Sequence, residues 1–291
     1  MTKQTITQAM IDAYDEYTHL TLDRRGFMEK LTKLAGSGAA AAAIAPMLAA
    51  SSAHAAIVAP DDARVKAEDI TYPGSSGEMK GYLAAPADHS GKLGTVIVIH
   101  ENRGLNDHIK DVARRMALEG FVALAPDHLS PAGGTPADEE KAREMISALD
   151  PTVRIADGVA TVAFLEKHEA SNGKVGAVGF CWGGGAVNDL AVNAPNLDAG
   201  VAYYGRQASA EDAAKISAPL VLHYAGMDER INAGIDAYKA ALEAAGKEFA
   251  IHMYDGAQHA FNNDTSEARY NKEAADLAWG RTVAFFKEKL A

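Results

Sequence analysis

KVGAVGF at 174–180 runs directly into CWGGG at 181–185, and this junction decides how the chain is read. Seven residues of small and β-branched character between polar neighbours read as a buried strand. Cys181 follows with Gly179 and Gly183 on either side, so the backbone turns sharply where a Cβ would meet its neighbours. A helix from about Trp182 then offers its free N–H groups and positive dipole end to whatever sits at the turn. Strand, G-x-C-x-G and helix in that order form a nucleophile elbow with sulfur as the attacking atom. A small hydrophobe in a core is the plainer fate of a free cysteine, and the glycine and helix context argues against it here.

Outward from the elbow, further short apolar runs repeat the strand pattern. GTVIVIHE (94–101), FVALAPDH (121–128), AGVAYYG (199–205), APLVLHYAG (218–226) and FAIHMYDG (249–256) read as buried parallel strands. Helical stretches fit between them: 107–120 ends on a glycine, 234–246 places Ile235, Tyr238 and Leu242 on one face, and 274–290 closes the chain. The β-then-α order predicts an α/β fold with a mostly parallel, doubly wound sheet and helices on both faces. SPAGGTPADEEK (130–141) reads as a loop excursion near the carboxyl ends of the strands, where such sheets bind ligands.

A thiol nucleophile needs a base, and the base needs a carboxylate to orient it. Asp228 in AGMDERI and His259 in GAQHAF follow two later strands, giving the chain order nucleophile, acid, histidine of α/β hydrolases. Taken singly, Asp228 reads equally well as a helix cap and His259 as a polar loop residue. Three suitable residue types past three strand ends favour the catalytic reading.

These motifs, with HENRG at 100–104, SNGKVG at 171–176 and AYYG at 202–205, resemble the dienelactone hydrolase (carboxymethylenebutenolidase) family over about residues 69–288. The resemblance implies a single-domain α/β-hydrolase fold and hydrolysis of lactones or related small esters. It implies Cys181 as nucleophile, His259 as general base and acid, and Asp228 as the group orienting the histidine. Glu101 takes the place of the family's extra glutamate, which pairs with the resting cysteine; a salt bridge with Arg103 is its plainer role. The oxyanion donors would be the main-chain N–H groups of Trp182 and Asn102. Departures stand beside these matches. Asn263 occupies one place, and Glu139 the other, where an arginine would hold a substrate carboxylate, so the sequence leads us to expect uncharged substrates unless Arg143 or Arg103 substitutes. Tyr203 and Tyr204 are candidate pocket residues and equally candidate core.

The N-terminus reads differently from the rest. DRRGFMEK (23–30) pairs Arg24 with Arg25, the weakly apolar LAGSGAAAAAIAPMLAA (34–50) follows, and Ala53-His54-Ala55 supplies a small-residue site. That order resembles a twin-arginine export signal, with 1–55 as leader, 56–291 as hydrolase domain and a periplasmic or secreted destination. The apolar core falls short of the ~20 residues of a membrane span, so stable insertion is not expected.

Composition excludes other classes. With 48% hydrophobic and 23% charged residues the chain reads as an ordinary globular protein, and a formal charge of −11 disfavours nucleic acid as a partner. A single cysteine and the absence of HExxH or paired-cysteine spacing give no reason to expect a metal or other cofactor. A small-molecule ester or lactone and, for the precursor, the twin-arginine machinery are the expected partners. A nonenzymatic binding protein on a hydrolase fold and a broad-range carboxylesterase are the alternatives.

Overall fold

The computed structural model describes residues 6–19, 21–49 and 56–291. Three helices come first: α1 (Gln8–Thr18), α2 (Arg24–Ala35) and α3 (Gly38–Leu48). Strands β1 (Val65–Pro73) and β2 (Glu78–Pro86) follow, then β3 (Leu93–Ile99), α4 (Asp107–Leu118), β4 (Val122–Asp127), α5 (Glu139–Ser147), α6 (Pro151–Glu166), β5 (Ser171–Phe180) and α7 (Trp182–Asn193). The chain ends through β6 (Ala199–Tyr203), α8 (Ala210–Ala213), β7 (Leu220–Ala225), α9 (Glu229–Asn232), α10 (Ile235–Ala244), β8 (Phe249–Tyr254) and α11 (Lys272–Lys289).

Eight strands form one sheet in the order β1-β2-β4-β3-β5-β6-β7-β8. Strands β1 and β2 run antiparallel to each other, β2 runs antiparallel to β4, and all pairings from β4 to β8 are parallel. All six strands expected from the apolar runs are present. Val96 and Val98 pack under α4 and α11 with Ile109 and Phe286, while Ile97 and Ile99 face Leu165, Leu190 and Leu242 of α6, α7 and α10. A strand covered on both faces needs apolar residues at both parities, so these runs are continuous where an open sheet would alternate. The apolar-run reading does not find β1 and β2. At the sheet edge β1 keeps lysine and acidic side chains in solvent and buries only Tyr72, and β2 alternates exposed Glu78 and Lys80 with buried Met79 and Gly81, so neither is a continuous apolar run.

The N-terminal helices are held by local chemistry and by their own small core. Asp23 caps α2 by accepting from Gly26 N at 2.7 Å, Gly36 ends it at φ 80°, and Ser37 caps α3 by accepting from Ala40 N. Met10, Tyr14, Phe27, Leu31, Ile44 and Leu48 close into a cluster separate from the two cores of the sheet. No single helix among the described residues is long and apolar enough to cross a membrane; α2 and α3 reach that composition only together, bent by 112°. Ala53-His54-Ala55 lies outside the described residues.

Candidate active site

Cys181 sits between β5 and α7 at φ 55° and ψ −113°, a conformation that L-residues rarely adopt. Its backbone N–H donates to Tyr203 O at 3.0 Å and its carbonyl accepts from Gly185 N at 3.2 Å, so strand and helix together hold the bend. The flanking glycines are required by contact. A Cβ on Gly179 would lie 2.1 Å from Gly183 O, and one on Gly183 would lie 2.4 Å from Ile99 O. Either change would drive α7 away from the sheet and turn the sulfur with it.

The other two residues arrive from the next strand ends. Asp228 caps α9 with one oxygen, accepting from Ile231 N at 3.2 Å, and turns the other to His259 Nδ1 at 2.5 Å. Cap and orienting roles are therefore one side chain's two oxygens. His259 is buried, and its Nε2 has no hydrogen-bond partner among the described residues. The Cys181 sulfur, a His259 ring nitrogen and a His19 ring nitrogen lie within 4.8 Å of one another. Burial opposes ionisation of the thiol, but the His259 and His19 imidazoles outweigh it and hold Cys181 down to about 6. Burial likewise opposes charge on His259, and the facing Cys181 and Asp228 reverse this, holding the imidazole up at about 10. His259 in turn holds the Asp228 carboxyl below its ordinary value against burial. The two shifts are mutual, each group favouring the charged form of the other.

A cavity of about 250 Å³ opens on this group, bordered by Cys181, His259, Asn102, Trp182 and Tyr204 and by His19 at the end of α1. Trp182 begins α7, whose first N–H groups have no intrahelical acceptor, and Asn102 lies in the turn after β3. Four arginines, Arg143, Arg154, Arg206 and Arg230, line the same cavity. Asp189 binds both Arg154 and Arg206 at 2.8 Å, Arg230 Nη2 lies 2.9 Å from His19 Nε2, and Arg143 packs over the Tyr17 ring with its Nε unpartnered among the described residues. Of the two substitutes the sequence offered for the missing clamp, Arg143 lines the cavity and Arg103 does not; α6, the turn after β6 and α9 add Arg154, Arg206 and Arg230. This charge also opposes a divalent cation at His19, Cys181 and His259, the one group of three with metal-ligand geometry among the described residues.

Several expected site residues are elsewhere. Tyr203 points into the core, where its hydroxyl meets Thr282 Oγ1 at 2.7 Å. Asn263 is buried and donates to Glu101 Oε2 at 2.9 Å instead of lining the cavity. Arg103 is buried against Tyr14 Oη, at 2.7 Å, and Glu139, at 3.6 Å. With Glu101 it borders a narrow cleft that Cys181, His259 and His19 also line. Glu101 is thus bonded by Asn263, and the sulfur's hydrogen-bond partner is His19 Nε2, at 3.5 Å. Sequence reasoning missed His19, Arg154, Arg206 and Arg230. The available signal for His19 was the helix-length QAMIDAYDEYT ahead of the arginine pair, with Met10, Ile11 and Tyr14 on its buried face.

The family model "Dienelactone hydrolase family" matches residues 79–290. A Saccharolobus solfataricus protein bearing the name "Putative carboxymethylenebutenolidase" is 33% identical over 258 residues, covering 76% of this chain and 98% of its own. An Escherichia coli K12 protein of the same name is 32% identical over 244 residues, covering 79% and 89%. Among solved structures, the dienelactone hydrolase of Anabaena variabilis superposes with a TM-score of 0.62 at 21% identity, over 78% of this chain and all of its own. A bacterial brefeldin A esterase, at 15% identity and a TM-score of 0.67, shares the fold over 98% of this chain and 94% of its own, a span that includes the N-terminal helices. The chain belongs to the dienelactone hydrolase family and is a hydrolase of the carboxylic-ester type with an α/β-hydrolase fold.

Proposed function

We propose that this protein hydrolyses small esters or lactones that carry a carboxylate, through a thioester on Cys181. The observation that carries the reading is the sulfur at a strained elbow beside an imidazole whose far nitrogen is bound by Asp228. The thiolate attacks the carbonyl carbon, and the C=O electron pair moves onto oxygen, facing the N–H groups of Trp182 and Asn102. When the carbonyl re-forms, the ester C–O bond breaks and the leaving oxygen takes the proton from His259, leaving the acyl group on sulfur. Water then gives a proton to His259 as it attacks the thioester, and the second collapse releases the acid and returns the thiolate. A Glu101 that regulates the nucleophile has to leave Asn263 to reach it.

The arginines decide the substrate's charge. Four guanidiniums and one aspartate around one cavity leave it cationic, the setting in which a carboxylate gains a charge-assisted bond of roughly 1.5–3 kcal/mol. Carboxylate-bearing lactones should therefore show kcat/KM about tenfold or more above uncharged esters of similar size, and Arg230→Gln should narrow that ratio. Measuring both series at two ionic strengths separates a pocket contact, which persists in salt, from long-range steering, which fades. Equal or better turnover of the uncharged series at both salts would remove the carboxylate from the proposal. No hydrolysis of either series would leave the binding-protein alternative.

Export by the twin-arginine route to a periplasmic or secreted destination belongs to the same proposal; cleavage after Ala55 would take α1 and His19 away from the cavity. In its support, Arg24 and Arg25 open α2 with side chains 73% and 86% exposed, so a receptor meets both on the folded chain. Changing both to lysine should trap the precursor in the cytoplasm, and unchanged export of that variant points to another route.

A further inference from the structure

The segment ahead of the arginine pair reaches further into the chemistry than a leader needs to. From it we infer that, in the uncleaved chain, α1 is a wall of the active site and His19 is a second histidine of the catalytic centre, hydrogen-bonding the Cys181 sulfur. The inference rests on the reading of Cys181 as nucleophile.

The ring's own bonds define what it offers. His19 Nδ1 lies 2.7 Å from Asp15 O, and a carbonyl oxygen only accepts, so Nδ1 carries the proton. In the neutral ring Nε2 is then the lone-pair nitrogen, 2.9 Å from Arg230 Nη2 and 3.5 Å from Cys181 Sγ. That nitrogen has one lone pair, which accepts from the guanidinium or from a thiol; with a proton added it gives up Arg230 and donates to a thiolate. His259 meets the same sulfur with the other ring of the site, and the two rings pack edge to face with centroids 4.8 Å apart.

The seat under α1 is specific and built from both sides. Asn102 Nδ2 donates to Thr18 O at 2.7 Å, Arg103 Nη2 to Tyr14 Oη at 2.7 Å, and Arg269 Nη1 to Asp15 Oδ1 at 3.1 Å. The Arg143 guanidinium lies 4.6 Å over the Tyr17 ring, whose hydroxyl donates to Glu140. Arg103, Arg143 and Arg269 are each only 5% exposed, so three buried cations of the hydrolase unit meet partners on this one helix. Buried charge left without partners is costly, which ties the helix to the folded unit. With α1 in place the cavity is still open, and Thr18 and His19 form part of its border. The helix bounds the site and does not fill it.

The test uses the full chain and begins without a substrate. Alkylation of Cys181 by iodoacetamide is followed from pH 5 to 9 in the parent, His19→Ala and His19→Gln, with Cys181→Ala as the blank. The groups facing the sulfur and His19 from other elements, His259 with Asp228, Tyr204, Glu101, Arg230 and Arg269, are unchanged. Losing the ring should move the alkylation midpoint up by about one pH unit and slow alkylation at pH 5 about tenfold. Ester turnover should fall by a similar factor in kcat/KM, and added imidazole should restore part of both. Asp15→Ala, which removes the Arg269 partner and keeps the ring, should shift both readouts the same way by less, and it carries the test if His19→Ala does not fold. An unchanged alkylation profile in folded His19→Ala overturns the inference. So does faster alkylation or turnover, which would make α1 a plug. A shifted profile in a protein whose parent hydrolyses no ester leaves His19 in place and defeats the hydrolase reading alone.

Discussion

Cys181→Ala lowers kcat/KM for the best ester substrate by about 10⁴-fold or more while leaving the fold in place. The magnitude follows from the thioester route, because alanine offers no atom to carry the acyl group, and main-chain donors with the cavity retain only residual catalysis. The fold survives because alanine at φ 55° meets the same backbone penalty as cysteine, and the flanking glycines still admit α7 to the sheet. Circular dichroism and a thermal melt on the same sample establish this. Activity within tenfold of the parent would mean that water attacks the carbonyl directly and that the elbow thiol is a bystander.

Asp228→Asn should lower kcat by about 10²–10⁴-fold with little change in melting temperature. Asparagine still caps α9, since its side-chain oxygen accepts from Ile231 N as the aspartate does. What disappears is the negative charge facing His259 Nδ1, one of the two groups that hold the imidazole up at about 10. With that support gone the imidazolium loses its proton at lower pH, so the alkaline limb of the rate profile moves down. The thiol, held down chiefly by the charged His259, ionises at higher pH, so the acid limb moves up. The two shifts together narrow the active pH range. A melt that collapses along with activity would instead show Asp228 acting mainly as a structural cap.

How far the sequence carried depended on whether a feature is local. Strands buried on both faces write themselves as continuous apolar runs, and the elbow is local because Gly179, Cys181 and Gly183 span five residues. Asp228 and His259 were legible because the chain order of the fold places each directly after a strand. The cavity walls were not. His19 meets Cys181 across 162 positions, and nothing within its helix marks that contact. Arg154 and Arg206 reach the cavity only because α6 and the turn after β6 converge on Asp189, a matter of packing between elements. Tyr203 and Tyr204, indistinguishable as neighbours in a string, part company because β6 ends between them. Tyr203 keeps the strand's inward direction, whereas Tyr204, at φ 39°, turns to the cavity with its ring 4.9 Å from that of His259. Asn263 and Glu139 were matched by position to a carboxylate clamp, whereas the arginines that border the cavity stand elsewhere in the chain.

The central claim, that Cys181 carries the acyl group, is tested most directly by intact mass after rapid quenching of enzyme mixed with an activated ester. The account predicts a species heavier by one acyl group within the first turnover, its modification mapped to the peptide holding Cys181 and absent from Cys181→Ala. Steady hydrolysis by the parent with no acylated protein at any quench time, including in Asp228→Asn where deacylation should be slowest, would contradict it, as would an acyl group mapped to any other side chain.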